Sequence, residues 1–164
     1  MSGTPVVVRP TVEAEWEALR ALRMRALADA PSAFGQTLAA AQAQPDALWR
    51  ERARGTDRWR MFVAVSGEQM VGLAGIVVEE DGDGQLISMW LDPRLRGSGA
   101  AADLVGAVLG WAREQRLPRV RLGVTEGNQV ARRLYLRSGF AETGRTAPLP
   151  QDPSRIQRGM AIAL

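Results

Sequence analysis

The chain has 164 residues, of which 46% are hydrophobic and 24% charged, a size and composition typical of one globular domain with its own core. It contains no cysteine and no histidine, which excludes thiol nucleophiles, disulfides, imidazole bases and Cys/His zinc sites. The net charge is only +3, all 21 basic residues are arginine, and acidic residues interrupt the densest arginine cluster at 50–60, so nucleic-acid binding is not favoured.

The N-terminal residues and the apolar runs of the sequence indicate where in the cell the protein is expected. Residues 1–10 lack the basic-then-apolar pattern of a secretion signal, and no apolar run approaches the roughly 20 residues that a membrane span needs. The absence of lysine fits codon bias in a GC-rich genome, as in many bacteria. We therefore expect a cytoplasmic, bacterial protein with no membrane partner, and a single domain over residues 1–164.

The first half of the chain predicts one strand, two helices and an antiparallel meander. Val6-Val7-Val8 is a β-branched run typical of a first strand, and residues 14–28 carry apolar side chains at helical spacing. The alanine-rich segment 33–44 is ambiguous, and a short helix follows from Asp46 to about Gly55. Three strands joined by tight turns come next, at 60–66, 70–79 and 86–91.

The second half of the chain alternates helices and strands. A long helix is predicted from about Gly99 to Arg116, with Pro118 marking its end. The remaining elements in chain order are a strand, a helix and two strands, at 120–124, 128–137, 140–145 and 156–164. A proline-rich loop at 147–153 is expected to connect the last two strands. One mixed α/β domain accounts for this order.

The run from Arg96 to Ala101, Arg-Gly-Ser-Gly-Ala-Ala, has the layout of an anion-binding loop. It follows an apolar strand that stops at Asp92-Pro93, and it opens the long helix. Such a junction aims free backbone N–H groups and the positive end of the helix dipole at one point, which suits a pyrophosphate. Gly97 and Gly99 allow close approach of the main chain and a positive φ.

A second pattern lies on the next predicted helix, which begins with Asn128 and ends before Gly139-Phe140. Asn is a frequent helix N-cap residue. Tyr135, the only tyrosine of the chain, follows seven residues later, two helical turns along one face. Either pattern alone also fits ordinary packing, so their order and separation carry the functional interpretation.

The position of the glycine-rich loop distinguishes two nucleotide-binding classes. A Rossmann fingerprint lies after the first strand of parallel βαβ units, with an acidic residue about twenty positions further on. Here the loop follows a run of hairpins. The sequence therefore argues against a dinucleotide fold.

Together these residues resemble the GNAT superfamily of acetyl-coenzyme A dependent N-acetyltransferases. The family's loop pattern is met by Arg96, Gly99 and Ala101. A second register, at Arg94, Gly97 and Gly99, is also open. The spacing from Asp92-Pro93 favours the first. The helix from Asn128 to Phe140 resembles the family's other signature. The resemblance implies a mixed, mostly antiparallel central sheet of about seven strands flanked by helices, with a splayed pair of central strands.

The same resemblance implies acetyl-coenzyme A as the acyl donor and no metal. The pyrophosphate would lie on the loop, with the Arg96 side chain adding charge, and the pantetheine arm would enter where strands 86–91 and 120–124 splay apart. Tyr135 would act as general acid for the coenzyme A thiolate. The expected cofactor-binding residues are Met89, Trp90, Leu91, Arg96, Gly97, Ser98, Gly99, Ala100, Ala101, Asn128 and Tyr135.

The proton transfers are only partly assigned. In water, the pKa is about 10 for a tyrosine hydroxyl and about 8.5 for a thiol, so Tyr135 either has a lowered pKa or acts as a hydrogen-bond relay. Many relatives carry Glu roughly where this chain has Gln85, which cannot serve as a base. The open alternatives are a water chain and the carboxylates of Glu79, Glu80, Asp92 and Glu126.

By resemblance, the acceptor groove is bounded by residues 29–38 and 144–155, with Phe34, Gln36 and Trp90 as candidate lining residues. A small-molecule amine, an amino-acid-like amine and a protein N-terminus are all open as acceptors, and so is a homodimer. Two functions are compatible with the sequence: an active N-acetyltransferase, and a coenzyme A binding domain without transfer activity that serves regulation or assembly.

Overall fold

Tight turns between β-branched runs produce a meander that continues into alternating helices and strands. The computed structural model describes residues 3–164. The strands are β1 (Val6–Pro10), β2 (Trp59–Ser66), β3 (Gln69–Val78), β4 (Gly84–Leu91), β5 (Arg119–Thr125), β6 (Ala141–Leu149) and β7 (Asp152–Ala163). The α-helices are α1 (Trp16–Asp29), α2 (Leu38–Gln42), α3 (Asp46–Arg54), α4 (Ala100–Glu114) and α5 (Gln129–Arg137). Short 3-10 turns lie at Glu13–Glu15, Pro31–Ala33 and Pro93–Leu95.

The seven strands form one sheet in the order β1-β2-β3-β4-β5-β7-β6. Helix α4 connects β4 to β5 as a crossover, so these two strands are parallel, whereas the other neighbours are antiparallel. The β4–β5 pairing contains only Gly84 with Val120 and Gln85 with Arg121. The predicted fold class, including the splayed central strands, is confirmed.

Two hydrophobic clusters cover the two faces of the sheet. Helix α4 buries an apolar stripe that includes Leu104 and Val108 against one face, as its helical spacing predicts. Helices α1 and α3 pack Leu22 and Trp49 on the other face, against Leu73 of β3. Within residues 3–164, no helix has both the length and the apolar character required to cross a membrane.

The ambiguous segment 33–44 contains the short helix α2. Thr37 caps it, since its side-chain oxygen accepts a hydrogen bond from the N–H of Ala40 at 3.1 Å. Before it, the Pro31–Ala33 turn leads from α1 toward the centre of the sheet.

The prediction of a proline-rich loop at 147–153 is wrong. Strand β6 continues to Leu149 and β7 begins at Asp152, so the connection is a two-residue turn. Pro148 is tolerated because β6 is an edge strand, where a missing N–H need not break the ladder.

The buried carboxylate of Asp92 connects the end of β4 to α1 and to the following turn. It is 4% exposed and accepts hydrogen bonds from Arg94 Nη2 at 2.8 Å and Arg25 Nη2 at 2.9 Å. Hydrogen bonding to Arg94, and then the charges of Arg94 and Arg25, hold its pKa well below the usual range. A pKa lowered by folding stabilises the native state above the unfolded-state pKa of about 4, and this stabilisation is lost as the pH falls through the folded-state pKa.

We therefore expect Asp92→Asn to lower the free energy of unfolding by about 2 kcal/mol at neutral pH. The difference from the wild type should shrink as the pH falls below about 4. Urea unfolding at both pH values measures it. Asp57→Asn, at an exposed position between α3 and β2, is the control and should change stability by less than about 0.5 kcal/mol. Equal losses in the two variants would contradict the structural role of Asp92.

Candidate functional site

The splay between β4 and β5 opens a cleft in the middle of the sheet. Because pairing stops after Gln85 and Arg121, the edge of β4 that faces β5 has no strand partner from Leu86 onward among residues 3–164. The cleft has a volume of about 370 Å³. It is lined by β4 (residues 85–89), β5 (122–125), α5 (Asn128, Ala131, Leu134 and Tyr135) and a rim of Arg23, residues 33–35, Pro150 and Gln157.

A β-bulge distorts β4 where it borders the cleft. Ile87 pairs with Gly75 and Trp90 with Leu73, so two residues of β4, Ser88 and Met89, lie opposite one residue of β3. Ser88 has φ of 60°, which is uncommon for a residue other than glycine, and such strained positions cluster at functional sites. Ser88 was not predicted from the sequence. The one signal that could have identified it is that it is a polar residue inside an apolar run.

Of the three β4 residues expected to face the cofactor, Met89 lines the cleft. Trp90 and Leu91 pair with β3, and their side chains are buried in the two hydrophobic clusters. The Trp90 indole N–H donates to Asp29 Oδ2 at 2.9 Å. Trp90 therefore packs under α1, and its side chain does not line the cleft.

The glycine-rich loop has the predicted geometry at the start of α4. Gly97 and Gly99 have φ of 83° and 90°, and Gly99 is the N-cap of the helix. The N–H of Ser98 donates to Leu95 O at 3.1 Å, and that of Ala100 donates to Ser98 Oγ at 3.3 Å. The N–H groups of Gly97, Gly99 and Ala101 have no partner in the described chain, so these three, rather than the whole loop, are available to an anion.

The side chain of Arg96 extends from the loop toward α1. It is 54% exposed, and its Nη2 lies 3.4 Å from Asp29 Oδ2. A pair this long and this exposed contributes little to stability. The guanidinium is therefore free to leave Asp29 for a bound phosphate.

Tyr135 and Asn128 both line the cleft from α5. Asn128 caps the helix, since its Oδ1 accepts a hydrogen bond from Ala131 N at 3.2 Å. Tyr135 is 5% exposed, and its ring packs edge-on against Phe140 with centroids 5.8 Å apart. Burial raises the pKa of Tyr135, which does not support the lowered pKa that was one sequence-based alternative.

No carboxylate of the described residues lines the cleft. Gln85 lies in its wall, whereas Glu126 lines a neighbouring cavity and lies 3.3 Å from Arg158. Asp92 is bound by two arginines and its pKa is lowered, so it is a poor base. Glu79 and Glu80 lie at the β3–β4 connection, away from the cleft.

The two segments expected to border the acceptor side meet at one rim. Gln151, in the β6–β7 turn, donates to Pro31 O at 3.1 Å and also to Phe34 O. Thr125 at the end of β5 donates to Ser32 O at 3.1 Å. These bonds hold the segment after α1 against the tip of the last hairpin. Phe34 lines the cleft and Gln36 accepts from Arg23 Nη2 at 3.2 Å.

Sequence comparison identifies relatives with one activity class in their names. The family described as "Acetyltransferase (GNAT) family" matches residues 16–140. An uncharacterized N-acetyltransferase of Mycobacterium bovis is 40% identical over 76 residues, which are 46% of this chain and 49% of the relative. A mycothiol acetyltransferase of Brachybacterium faecium is 31% identical over 137 residues, 81% of this chain and 40% of the relative. The chain thus spans about half the length, or less, of these curated relatives.

Solved structures share the fold. The ribosomal-protein-alanine N-acetyltransferase of Brucella melitensis has a TM-score of 0.78 and 23% identity, covering 96% of this chain and 99% of that one. A putative streptothricin acetyltransferase of Bacillus anthracis, solved in complex with acetyl coenzyme A, has a TM-score of 0.61 and 17% identity, covering 68% and 65%. At these identities the likeness establishes the arrangement of sheet and helices.

Proposed function

The chain belongs to the GNAT family of acetyltransferases, and from this premise we propose that it transfers the acetyl group of acetyl-coenzyme A to a primary amine of a small molecule or a peptide, within a single domain spanning residues 1–164. The observation that carries the proposal is the cleft between β4 and β5. It joins an unpaired strand edge, a bulge at Ser88 and Met89, and the side chain of Tyr135.

The donor binds along β4 and the loop that follows it. The pyrophosphate accepts hydrogen bonds from the free N–H groups of Gly97, Gly99 and Ala101 at the positive end of α4, and Arg96 leaves its weak pair with Asp29 to add charge. The pantetheine arm follows the unpaired edge of β4 to Met89, in the cleft that Asn128 also lines.

The transfer step forms one bond and breaks one. The amine nitrogen attacks the thioester carbonyl, the oxyanion is stabilised by main-chain N–H groups at the β4 bulge, and the carbon–sulfur bond then breaks. The buried Tyr135 keeps its proton, because its pKa is raised, so it donates a hydrogen bond to the departing thiolate. The proton that the amine loses returns to the thiolate through this hydroxyl, as a relay.

The pH dependence follows from the absence of a carboxylate in the described lining of the cleft and of histidine in the chain. An alkyl amine with a pKa near 10 is about one part in a thousand neutral at pH 7. We expect kcat/KM for such an amine to rise about tenfold from pH 7 to pH 8. Initial rates of thiol release across this range measure it, with an aromatic amine, which is already neutral, as the flat control. A plateau near pH 6 for the alkyl amine would reveal a protein base.

Two measurements test the proposal. Equilibrium binding of acetyl-coenzyme A tests the donor site, and thiol release with a panel of amines tests transfer. The absence of acetyl-coenzyme A binding would refute both the assignment of the loop and the proposed activity.

Gln85 in the cleft wall supports a second candidate, a coenzyme A binding domain without transfer activity. Binding of acetyl-coenzyme A with no thiol release at any pH, for any amine of the panel, would favour this regulatory or assembly role. Release with one acceptor class would exclude it.

A further inference from the structure

A second cavity of about 150 Å³ adjoins the cleft. Three residues line both the cavity and the cleft: Ile87 and Ser88 of β4, and Arg23 of α1. Its remaining lining comes from α1, α3, β2 and β3, namely Leu19, Trp49, Arg52, Trp59, Met61, Leu73 and Val77. The lining residues are apolar or aromatic apart from Arg23, Arg52 and Ser88.

Both guanidinium groups lack a carboxylate partner in the described chain. Arg23 Nη1 donates to Ser88 Oγ at 2.6 Å and Nη2 to Gln36 Oε1 at 3.2 Å, whereas its Nε is buried without a partner. Arg52 Nη1 donates to Gln44 Oε1 at 2.8 Å. What sets Arg23 and Arg52 apart from exposed arginines without a carboxylate partner is that much of each side chain is shielded from water.

At neutral pH both guanidinium groups at this cavity are charged and stack on aromatic rings, Arg23 on Phe34 and Arg52 on Trp49, with no carboxylate beside them in the described chain. Burial, and then repulsion by Arg52, lowers the pKa of Arg23 to about 10, which still leaves the group protonated near pH 7. Burial also lowers the pKa of Arg52. Because a buried charge is costly unless it is paired, two such cations at one cavity indicate an anionic group supplied from outside.

Two tryptophans at the cavity also have hydrogen-bond donors without a partner. The indole N–H groups of Trp49 and Trp59 are buried and have no hydrogen-bond partner among residues 3–164, and Trp49 is 2% exposed. An indole nitrogen only donates. The residues around the cavity thus carry buried donors without partners, and none of the lining residues is a carboxylate.

We propose that this cavity is the acceptor-side subsite, and that the acceptor is a small amino acid whose carboxylate binds between Arg23 and Arg52. The apolar walls surround the body of the molecule, and the shared wall at Ser88 places its amine at the β4 bulge of the cleft. A singly charged carboxylate suits two guanidinium groups within an otherwise apolar lining. This inference rests on the proposed acetyl transfer, for which it names the acceptor class.

The test compares acids with their amides. L-leucine and L-phenylalanine, each with its amide, are titrated into the full chain by calorimetry, and their kcat/KM values are measured by thiol release. In binding, and in kcat/KM divided by the neutral fraction of each amine, the wild type should favour the acid over the amide at least tenfold. Arg52→Gln and Arg23→Gln should each reduce that ratio about tenfold, which is the loss of about 1.4 kcal/mol.

Arg50→Gln is the matched control. Arg50 lies on the same helix as Arg52 and stacks on a tryptophan in the same way, with Cζ 4.9 Å from the Trp16 ring against 4.8 Å from the Trp49 ring for Arg52. It does not line the cavity, so its variant should keep the acid-to-amide ratio. If Arg52→Gln fails to fold, Arg52→Lys retains the charge, loses the planar fork and should lower the ratio less.

Each outcome bears on one claim. Equal binding of acids and amides, no binding of either acid at about 10 mM, or an unchanged ratio in both cavity variants overturns the subsite, while thiol release with other amines leaves the proposed function standing. Selective acid binding without thiol release supports the subsite and contradicts the transferase activity.

Discussion

Replacing Tyr135 by Phe is expected to lower the turnover of acetyl transfer about 100-fold, while the apparent KM for acetyl-coenzyme A changes less than about threefold. The substitution removes one hydroxyl and leaves the ring, which packs on Phe140 and is 5% exposed. In the proposed mechanism the hydroxyl contacts sulfur only as the thiolate departs, so its loss should affect the transition state more than donor binding. Initial rates at saturating acetyl-coenzyme A measure the effect.

Two measurements separate a catalytic role of Tyr135 from a packing role: the melting temperature of Tyr135→Phe, and the turnover of a control variant at Ser138. The phenylalanine ring keeps the packing of the tyrosine ring against Phe140, so the melting temperature should stay the same. Ser138→Ala removes another hydroxyl of this region, one that donates to Leu134 O at 2.9 Å, and should leave turnover unchanged. Unchanged turnover in Tyr135→Phe would remove the residue from the mechanism.

The conformation of the loop before α4 could be predicted from the sequence because its determinants are local. A strand that stops at Asp92, a 3-10 turn and two glycines before a helix fix the backbone direction within about ten residues. The positive φ values of Gly97 and Gly99 follow from that turn. The hydrogen-bond pattern that selects the N–H groups of Gly97, Gly99 and Ala101 required coordinates, since it depends on which carbonyl each neighbour reaches.

The cavity proposed as the acceptor subsite could not be predicted, because its contacts join distant parts of the chain. Arg23 and Ser88 are 65 positions apart, and the left-handed Ser88 results from the pairing of β4 with β3. Whether a carboxylate lies beside Arg52 also depends on residues that are distant in sequence. In the sequence, Arg52 is one of three arginines of helix α3. Only the packing of α3 on the sheet shows that it is partly buried.

The prediction for 147–153 failed for a related reason. Prolines at 148, 150 and 153 indicate a loop when strand position is unknown. In the sheet, β6 is an edge, so Pro148 loses no interior hydrogen bond. The resulting short turn brings Gln151 to Phe34, whose carbonyl oxygen accepts a hydrogen bond from the Gln151 amide, and so joins the tip of the last hairpin to the segment after α1.

The double variant Gly97→Ala/Gly99→Ala is expected to weaken acetyl-coenzyme A binding about 100-fold. Neither added Cβ meets another atom within 4 Å, so the effect comes from the backbone alone. Alanine in the left-handed region costs about 1–2 kcal/mol per residue, and the free loop relaxes away from the conformation that points its N–H groups at one anion. Binding must restore that conformation, and each 1.4 kcal/mol costs about a factor of ten in affinity.

Gly82→Ala provides the matched control for Gly99→Ala. Both glycines have φ of 90° and open space around the added Cβ, so both substitutions should lower stability by a similar amount, about 1 kcal/mol. Gly82 lies in the β3–β4 turn, and its N–H donates to Glu79 O. Calorimetric titration should therefore show weakened binding for Gly99→Ala only. Equal affinities in the two single variants would mean that the pyrophosphate is held elsewhere, because strain of the same size at the two turns can be distinguished only by contact with the ligand.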